Sequence, residues 1–301
     1  MRVLVTGATG FLGGLLLPAL HAQGHTVVAT SRTPDRARLP AGVECHRWSP
    51  RTEPLPSDAA RVDAVVHLMG ESVAGRWTKA KKERIAGSRQ EGSAQLVAGI
   101  EALAPDERPT VLITASAVGF YGPRGDEVIT EETPAGDDFL SRVCIDWERE
   151  TGRAAELGVR VVTMRMPLLV HPDGGALEQL LPMAKLGLGG PLGDGSQWWC
   201  WVSADDVVRF ILGALGDEEM RGAYNVCAPH PVSQKEFAQT LGRVLGRPAF
   251  FPAPAFGLKL VLGEFSIEML GSKRQVPARL QEMGWEFVDP ELEPALRRML
   301  G

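Results

Sequence analysis

Close to the amino terminus a β-branched run, Arg2–Thr6, leads into Thr6-Gly7-Ala8-Thr9-Gly10-Phe11-Leu12-Gly13, and a leucine-rich helical stretch continues to Gln23. A GxxGxxG spacing set between a strand and a helix leaves few folds open. Gly7 allows the tight turn, Gly10 lets backbone N–H groups approach a pyrophosphate, and Gly13 lets helix and strand pack closely. The phosphates then rest on the positive helix N-terminus. With the next strand, Thr26–Ser31, following in register, Gly7, Thr9, Gly10, Phe11, Leu12 and Gly13 are the expected phosphate turn of a dinucleotide site.

Further along, short β-branched runs (Asp63–Met69, Thr110–Ser116, Arg160–Met166) alternate with helical patterns (Lys79–Leu103, Phe139–Leu157). Such alternation predicts βαβ units and a doubly wound parallel α/β sheet of the Rossmann kind. After Pro167 the pattern loosens into Gly and Pro clusters, three tryptophans, a further strand at Ala223–Cys227 and a helix at Ser233–Leu245. The expected organisation is a dinucleotide-binding domain over 1–170, with segments returning to it at about 200–230, and a smaller C-terminal α/β substrate lobe over 171–301.

A chain of 301 residues, 44% hydrophobic, buries a core without staples. Its net charge of −5 gives no overall attraction to nucleic acid or an anionic membrane, so neither is an expected partner. The four cysteines, Cys45, Cys144, Cys200 and Cys227, show no metal or disulfide spacing. No apolar run reaches spanning length and no leader pattern precedes the first strand, so the expected compartment is the cytoplasm.

The second strand ends in Ser31-Arg32, where an NAD site would carry a carboxylate for the ribose 2′-hydroxyl. A guanidinium matches a 2′-phosphate through two parallel charge-assisted bonds, so Ser31 and Arg32 point to NADP(H). An arginine solvated on a loop is the other reading.

TGATGFLG at the start, His67-Leu68-Met69-Gly70 after the fourth strand and Ser116–Gly122 (SAVGFYG) after the fifth resemble the short-chain dehydrogenase/reductase superfamily, extended type. The likeness runs on through Trp201–Val207 (WVSADDV) and through Pro252, Gly263-Glu264, Pro277 and Gly284-Trp285. That tail is similar to the atypical subgroup called the epimerase family. The resemblance implies that His67, Leu68, Met69, Gly70, Arg89, Pro167 and Leu168 join the cofactor site, and it places Pro167-Leu168 against the nicotinamide. Extended relatives commonly pair through the two helices here at Lys79–Leu103 and Phe139–Leu157, which leaves a homodimer open.

Ordinary members use YxxxK, in which the tyrosine transfers a proton and the lysine lowers its pKa. This chain has two tyrosines, and neither Tyr121 nor Tyr224 has a lysine four places on. On the corresponding helix Leu140 takes the tyrosine position and Cys144 the lysine position, while Arg89 stands where the resemblance puts an asparagine. Candidate catalytic groups are Ser116, with Ala117 as the alternative in that register; Tyr121, otherwise a structural residue; and Cys144, a thiol acid, a redox-sensitive group or a small packed residue. Asp126, Glu127, Glu131 and Glu132 crowd the following loop, and Asp205 reads as a structural helix-start residue. Trp198, Trp199 and Trp201 are expected either to line a pocket for an unknown small substrate or to fill the seam between the lobes. An oxidoreductase or epimerase-like enzyme, and an NADP(H)-binding sensor or scaffold, both fit these features.

Overall fold

The computed structural model describes all 301 residues. Its elements in chain order are β1 (Arg2–Thr6), α1 (Phe11–Ala22), β2 (Thr26–Ser31), β3 (Glu44–Arg47), β4 (Ala64–His67), α2 (Lys79–Glu101), β5 (Val111–Ala117), α3 (Phe139–Gly152), β6 (Arg160–Met166), α4 (Gly175–Lys185), α5 (Ala204–Gly216), β7 (Gly222–Asn225), α6 (Gln234–Leu245), α7 (Ala255–Leu262) and α8 (Leu292–Leu300). These seven strands form one sheet in the order β7-β6-β5-β4-β1-β2-β3, all pairs parallel, and six short strands elsewhere form three two-stranded pairs. Strand order reverses between β1 and β4, the switch point beyond whose carboxyl ends ligands bind in such sheets.

Each face of the sheet is covered. On one side Leu16, Leu17 and Leu20 of α1 and Val207, Phe210, Ile211 and Ala214 of α5 pack on Val3, Val5, Ile113 and Val162. On the other, Leu96, Val97 and Ile100 of α2 meet Leu4, Val28, Val65 and Leu112. These side chains are essentially inaccessible to water, and each contributes about 2 kcal/mol by burial. A third core, around Trp199, Trp201, Val170, Leu177, Phe237 and Leu296, belongs to the C-terminal lobe.

Sequence and structure differ at one strand and one helix end. β3 has no apolar alternation; Glu-Cys-His-Arg is a half-exposed edge strand held by its pairing to β2, a signal absent from the residues themselves. The strand expected at Ala223–Cys227, within the segments expected to return to the first domain, is β7 at the edge of the main sheet, paired with β6. The helix expected to run to Leu157 ends at Gly152 and continues as a 3-10 turn over Arg153–Leu157.

Helix starts follow local chemistry. α2, α3, α5 and α6 each open on a side chain (Thr78, Asp138, Ser203 and Ser233) that accepts an amide of the first turn at 2.8–3.2 Å. α1 is different. Gly10 begins it in extended conformation with no side-chain cap and no acidic residue in its first turn.

The tail is fastened by a buried carboxylate. Asp206 accepts the amides of Val288 at 2.7 Å and Asp289 at 3.0 Å and the Ser203 hydroxyl at 2.8 Å. Asp205 instead pairs on the surface with Arg298. No helix is long and apolar enough to cross a membrane. Replacing Asp206 by alanine leaves the buried Ser203 hydroxyl and Asp289 amide, and the part-buried Val288 amide, without their acceptor, so Asp206→Ala is expected to lower stability by about 2–4 kcal/mol, read from urea unfolding midpoints at unchanged slope.

Candidate functional site

Two clefts open side by side beyond the carboxyl ends of the strands. The first, of about 730 Å³, is lined by Gly7, Thr9 and Gly10, by Thr30 to Thr33, by Arg36 to Arg38 and by Leu68 to Glu71. The Gly-rich turn is shaped by close contact. Gly7 has φ +75° and passes so near the next strand end that an added Cβ would stand 3.0 Å from the Leu68 carbonyl carbon. At Gly13 a Cβ would stand 2.6 Å from the carbonyl oxygens of Gly7 and Ala8, so helix and turn meet only because that position is bare. With α1 uncapped, its first amides are left to an anion in this cleft.

Ser31 and Arg32 stand on the wall of the same cleft, joined by Arg36 and Arg38. These two arginines were not singled out from the sequence, although the run SRTPDRAR carries the signal: three guanidiniums within seven residues of the second strand's end. A concave site that holds an uncapped helix start together with the guanidiniums of Arg32, Arg36 and Arg38, and is lined also by Arg51 and Arg84, fits a dinucleotide with an additional phosphate. Phe11 and Leu12 do not line it. Phe11 packs on His171 with ring centroids 5.1 Å apart, and Leu12 packs on the core, so both support the turn from behind.

His67 is also a support. It is wholly buried between Thr6 Oγ1 at 2.7 Å and Ser93 Oγ at 3.2 Å, and burial holds its pKa down at about 4. It does not line the cleft, while the next residues, Leu68, Met69 and Gly70, do.

The second cleft, of about 500 Å³, lies between the sheet edge and the C-terminal lobe. Ala117, Val118 and Gly119 after β5, Leu140 and Cys144 of α3, Pro167 and Leu168 after β6, Trp198, Trp199 and Cys200 line it. The loop after β4 serves both clefts: Glu71 faces the first and Ser72 the second. Arg89 stands at the joint. Its Nη1 donates to the carbonyls of Glu71 at 3.0 Å and Ile85 at 3.1 Å, and its guanidinium stacks on Trp147 at 4.9 Å. Burial lowers its pKa.

Three candidates from the sequence are placed away from the cavity. Ser116 is buried and donates to Glu148 Oε1 at 2.6 Å; Ala117, one residue on, faces the cavity instead. The Tyr121 hydroxyl donates to Asn225 Oδ1 at 2.7 Å and accepts from Arg165 Nη1 at 3.0 Å, and burial pushes its pKa up to about 12. It is a tie inside the fold rather than a proton donor. Trp201 is fully buried in the core of the small lobe, so the tryptophan run divides: Trp198 and Trp199 line the cavity, and Trp201 fills the seam. Cys144 does face the cavity, but burial raises its thiol to about 12, which makes it a small apolar wall at neutral pH.

Of the loop carboxylates, Asp126 accepts the Trp198 indole N–H at 2.9 Å and Glu131 accepts the Asn225 amide at 3.0 Å, while Glu127 and Glu132 are exposed. The cavity holds a polar pair that sequence reasoning did not find. Lys273 Nζ lies 2.7 Å from Glu268 Oε2, with side chains only 6% and 13% exposed, and both line the cavity. No spacing marks them, because two charged residues five apart are unremarkable until the tail carries them to a cavity lined by residues far earlier in the chain.

The model of the NAD dependent epimerase/dehydratase family matches residues 3–227, which hold both the Gly-rich turn and most of the cavity wall. The chain belongs to this family. A domain of unknown function, DUF1731, matches 253–299, the segment that brings Glu268 and Lys273. Among relatives of this family member, the chloroplastic "Epimerase family protein SDR39U1 homolog" of Arabidopsis thaliana is 37% identical over the whole chain and 87% of the relative. Human SDR39U1 is 34% identical over the full length of both. A crystal structure of human SDR39U1 isoform 2 with NADPH superposes with a TM-score of 0.88 at 33% identity, covering 99% of each chain. MoeE5 in complex with UDP-glucuronic acid and NAD shares the fold, with a TM-score of 0.77 at 21% identity over 98% of this chain and 96% of its own.

His67 gives this site a pH signature. Its folded pKa of about 4 lies below the unfolded value of 6.5, so the unfolded chain takes up a proton first as pH falls. The stability of the neutral buried ring is fully present above about pH 6.5 and is lost on acidification through the 6.5-to-4 window, by up to about 3 kcal/mol. Urea unfolding at pH 7 and pH 5 is expected to show that loss, and His67→Gln to show a shallower dependence.

Proposed function

We propose that this chain is an NADP(H)-dependent oxidoreductase acting on a small substrate held in the cavity beside the dinucleotide cleft. The observation that carries this reading is the junction of the two clefts at Leu68–Ala74 and Arg89, with a buried ionisable pair, Lys273 and Glu268, in the second. A bound nicotinamide supplies hydride chemistry at its C4. The chain's own part is to hold and enclose. The uncapped start of α1 and Gly7–Gly10 receive the pyrophosphate, and Ser31 with Arg32, Arg36 and Arg38 receives the 2′-phosphate. Ala117, Pro167 and Leu168 give the second cleft an apolar wall. NADPH bound to human SDR39U1 supports the choice of cofactor.

Leu140 and Cys144 stand where YxxxK enzymes keep their proton-transfer pair, and neither offers a proton at neutral pH. That replacement favours a second reading, an NADP(H)-binding sensor in which the tail lobe reports cofactor occupancy. Fluorescence titration with NADPH and NADH tests what both readings share: NADPH is expected to bind more tightly than NADH, and Arg32→Ala or Arg36→Ala to weaken NADPH by about tenfold or more while leaving NADH unchanged. Equal binding of the two cofactors overturns the assignment. Oxidation of bound NADPH by a carbonyl compound then separates enzyme from sensor.

A further inference from the structure

We propose that Lys273, held by Glu268, is the hydrogen-bond donor for a neutral carbonyl oxygen, and that the cavity takes mainly apolar carbonyl compounds rather than nucleotide sugars. This rests on the reading of the cavity as the substrate site and deepens it. An ammonium group has three donors. Lys273 Nζ has one partner in the protein, Glu268 Oε2 at 2.7 Å, and its side chain is too buried for water to serve the others freely. Donors left over in a cavity wall point to an acceptor brought by a ligand.

The surroundings say which acceptor. Of the 27 residues around the cavity 17 are hydrophobic, so most of any occupant is contacted by apolar atoms. The ionisable lining consists of Arg89 and Lys273 against Glu178 and Glu268, together with the neutral thiols Cys144 and Cys200, both raised by burial. Two cations and two carboxylates leave no surplus positive charge for a diphosphate. Glu268, 2.7 Å from Nζ, also repels a second carboxylate brought to the same ammonium. A ketone or aldehyde oxygen meets neither objection: it accepts from Nζ without adding charge. Glu268 holds the ammonium in place, and the carbonyl is polarised by a charged donor in a water-poor site, which is the service a tyrosine hydroxyl gives in YxxxK enzymes.

Lys273 enters on a rigid mount. Its backbone N donates to the Trp198 carbonyl at 3.1 Å, and the next residues, Arg274-Gln275, pair with Val128-Ile129. The donor is therefore fixed from both sides of the cavity mouth before any ligand arrives.

The test compares 2-acetonaphthone with 2-ethylnaphthalene, which has the same rings without the oxygen, by quenching of tryptophan fluorescence in the full chain without cofactor. UDP-glucose is titrated alongside. The ketone is expected to bind at least about tenfold more tightly than the hydrocarbon, as one charge-assisted hydrogen bond provides, with no saturable binding of UDP-glucose. In the double variant Lys273→Met with Glu268→Gln, which leaves no unpaired buried charge, the two naphthalenes are expected to bind alike at the hydrocarbon's wild-type affinity. Equal affinities in the wild type, retained preference in the double variant, tight UDP-glucose binding, or no binding of either naphthalene would each overturn the proposal. The wild-type comparison stands even if the variant fails to fold. Intact NADPH binding alongside any of those results confines the failure to this inference, whereas loss of NADPH binding strikes the oxidoreductase reading itself.

Discussion

A guanidinium buried at the end of β6 organises everything around it. Arg165 forms a two-pronged pair with Glu148 of α3 at 2.9 and 2.7 Å, lies over the Phe120 ring at 3.5 Å, and meets the Tyr121 hydroxyl at 3.0 Å. A charge at that depth calls for a close partner, and breaking such a pair costs far more than never having made it. The surrounding groups are accordingly committed. Ser116 spends its hydroxyl on Glu148, Tyr121 donates its hydroxyl hydrogen bond to Asn225 Oδ1, and Gln275 of the tail closes the circuit by donating to Asn225 Oδ1 at 2.7 Å and to the Arg165 carbonyl at 3.0 Å. Sheet, helix α3, the loop after β5 and the C-terminal segment are joined through one polar knot.

That knot leaves the second cleft's wall after β5 and along α3 without a hydroxyl: Ser116 and Tyr121 are committed inside the fold, and Ala117, Leu140 and Cys144 line the cavity. The same knot takes in Gln275, and Lys273, two residues earlier, lines the cavity.

Much of this was legible in the residues. The Gly-rich turn, the sheet alternation and the missing YxxxK depend on local spacing, which sequence reports directly, and the acid-free end of β2 gave Ser31 and Arg32 their place. β3 escaped because its four residues are polar and owe their extended form to a neighbour. Ser116 and Tyr121 misled because a hydroxyl's identity does not say which way it points; only the burial of Arg165 decides that. Trp199 and Trp201 share the core of the small lobe, and only Trp199 also reaches the cavity, a difference that their two-residue spacing does not report. Glu268 and Lys273 were invisible because they lie about a hundred residues from the nearest sheet strand they serve, in a segment without a periodic pattern.

The two clefts also differ in when they can exist. Every residue lining the dinucleotide cleft is present once Ser88 has been added to the chain, whereas the cavity needs residues as late as Lys273. At roughly 5–20 residues per second the ribosome takes on the order of ten seconds or more to cover that interval. During synthesis, therefore, the wall that carries the ammonium and its carboxylate is the last part of the binding surfaces to arrive, and a nascent chain stopped before it has the whole lining of the first cleft and a second cleft that lacks its only ammonium.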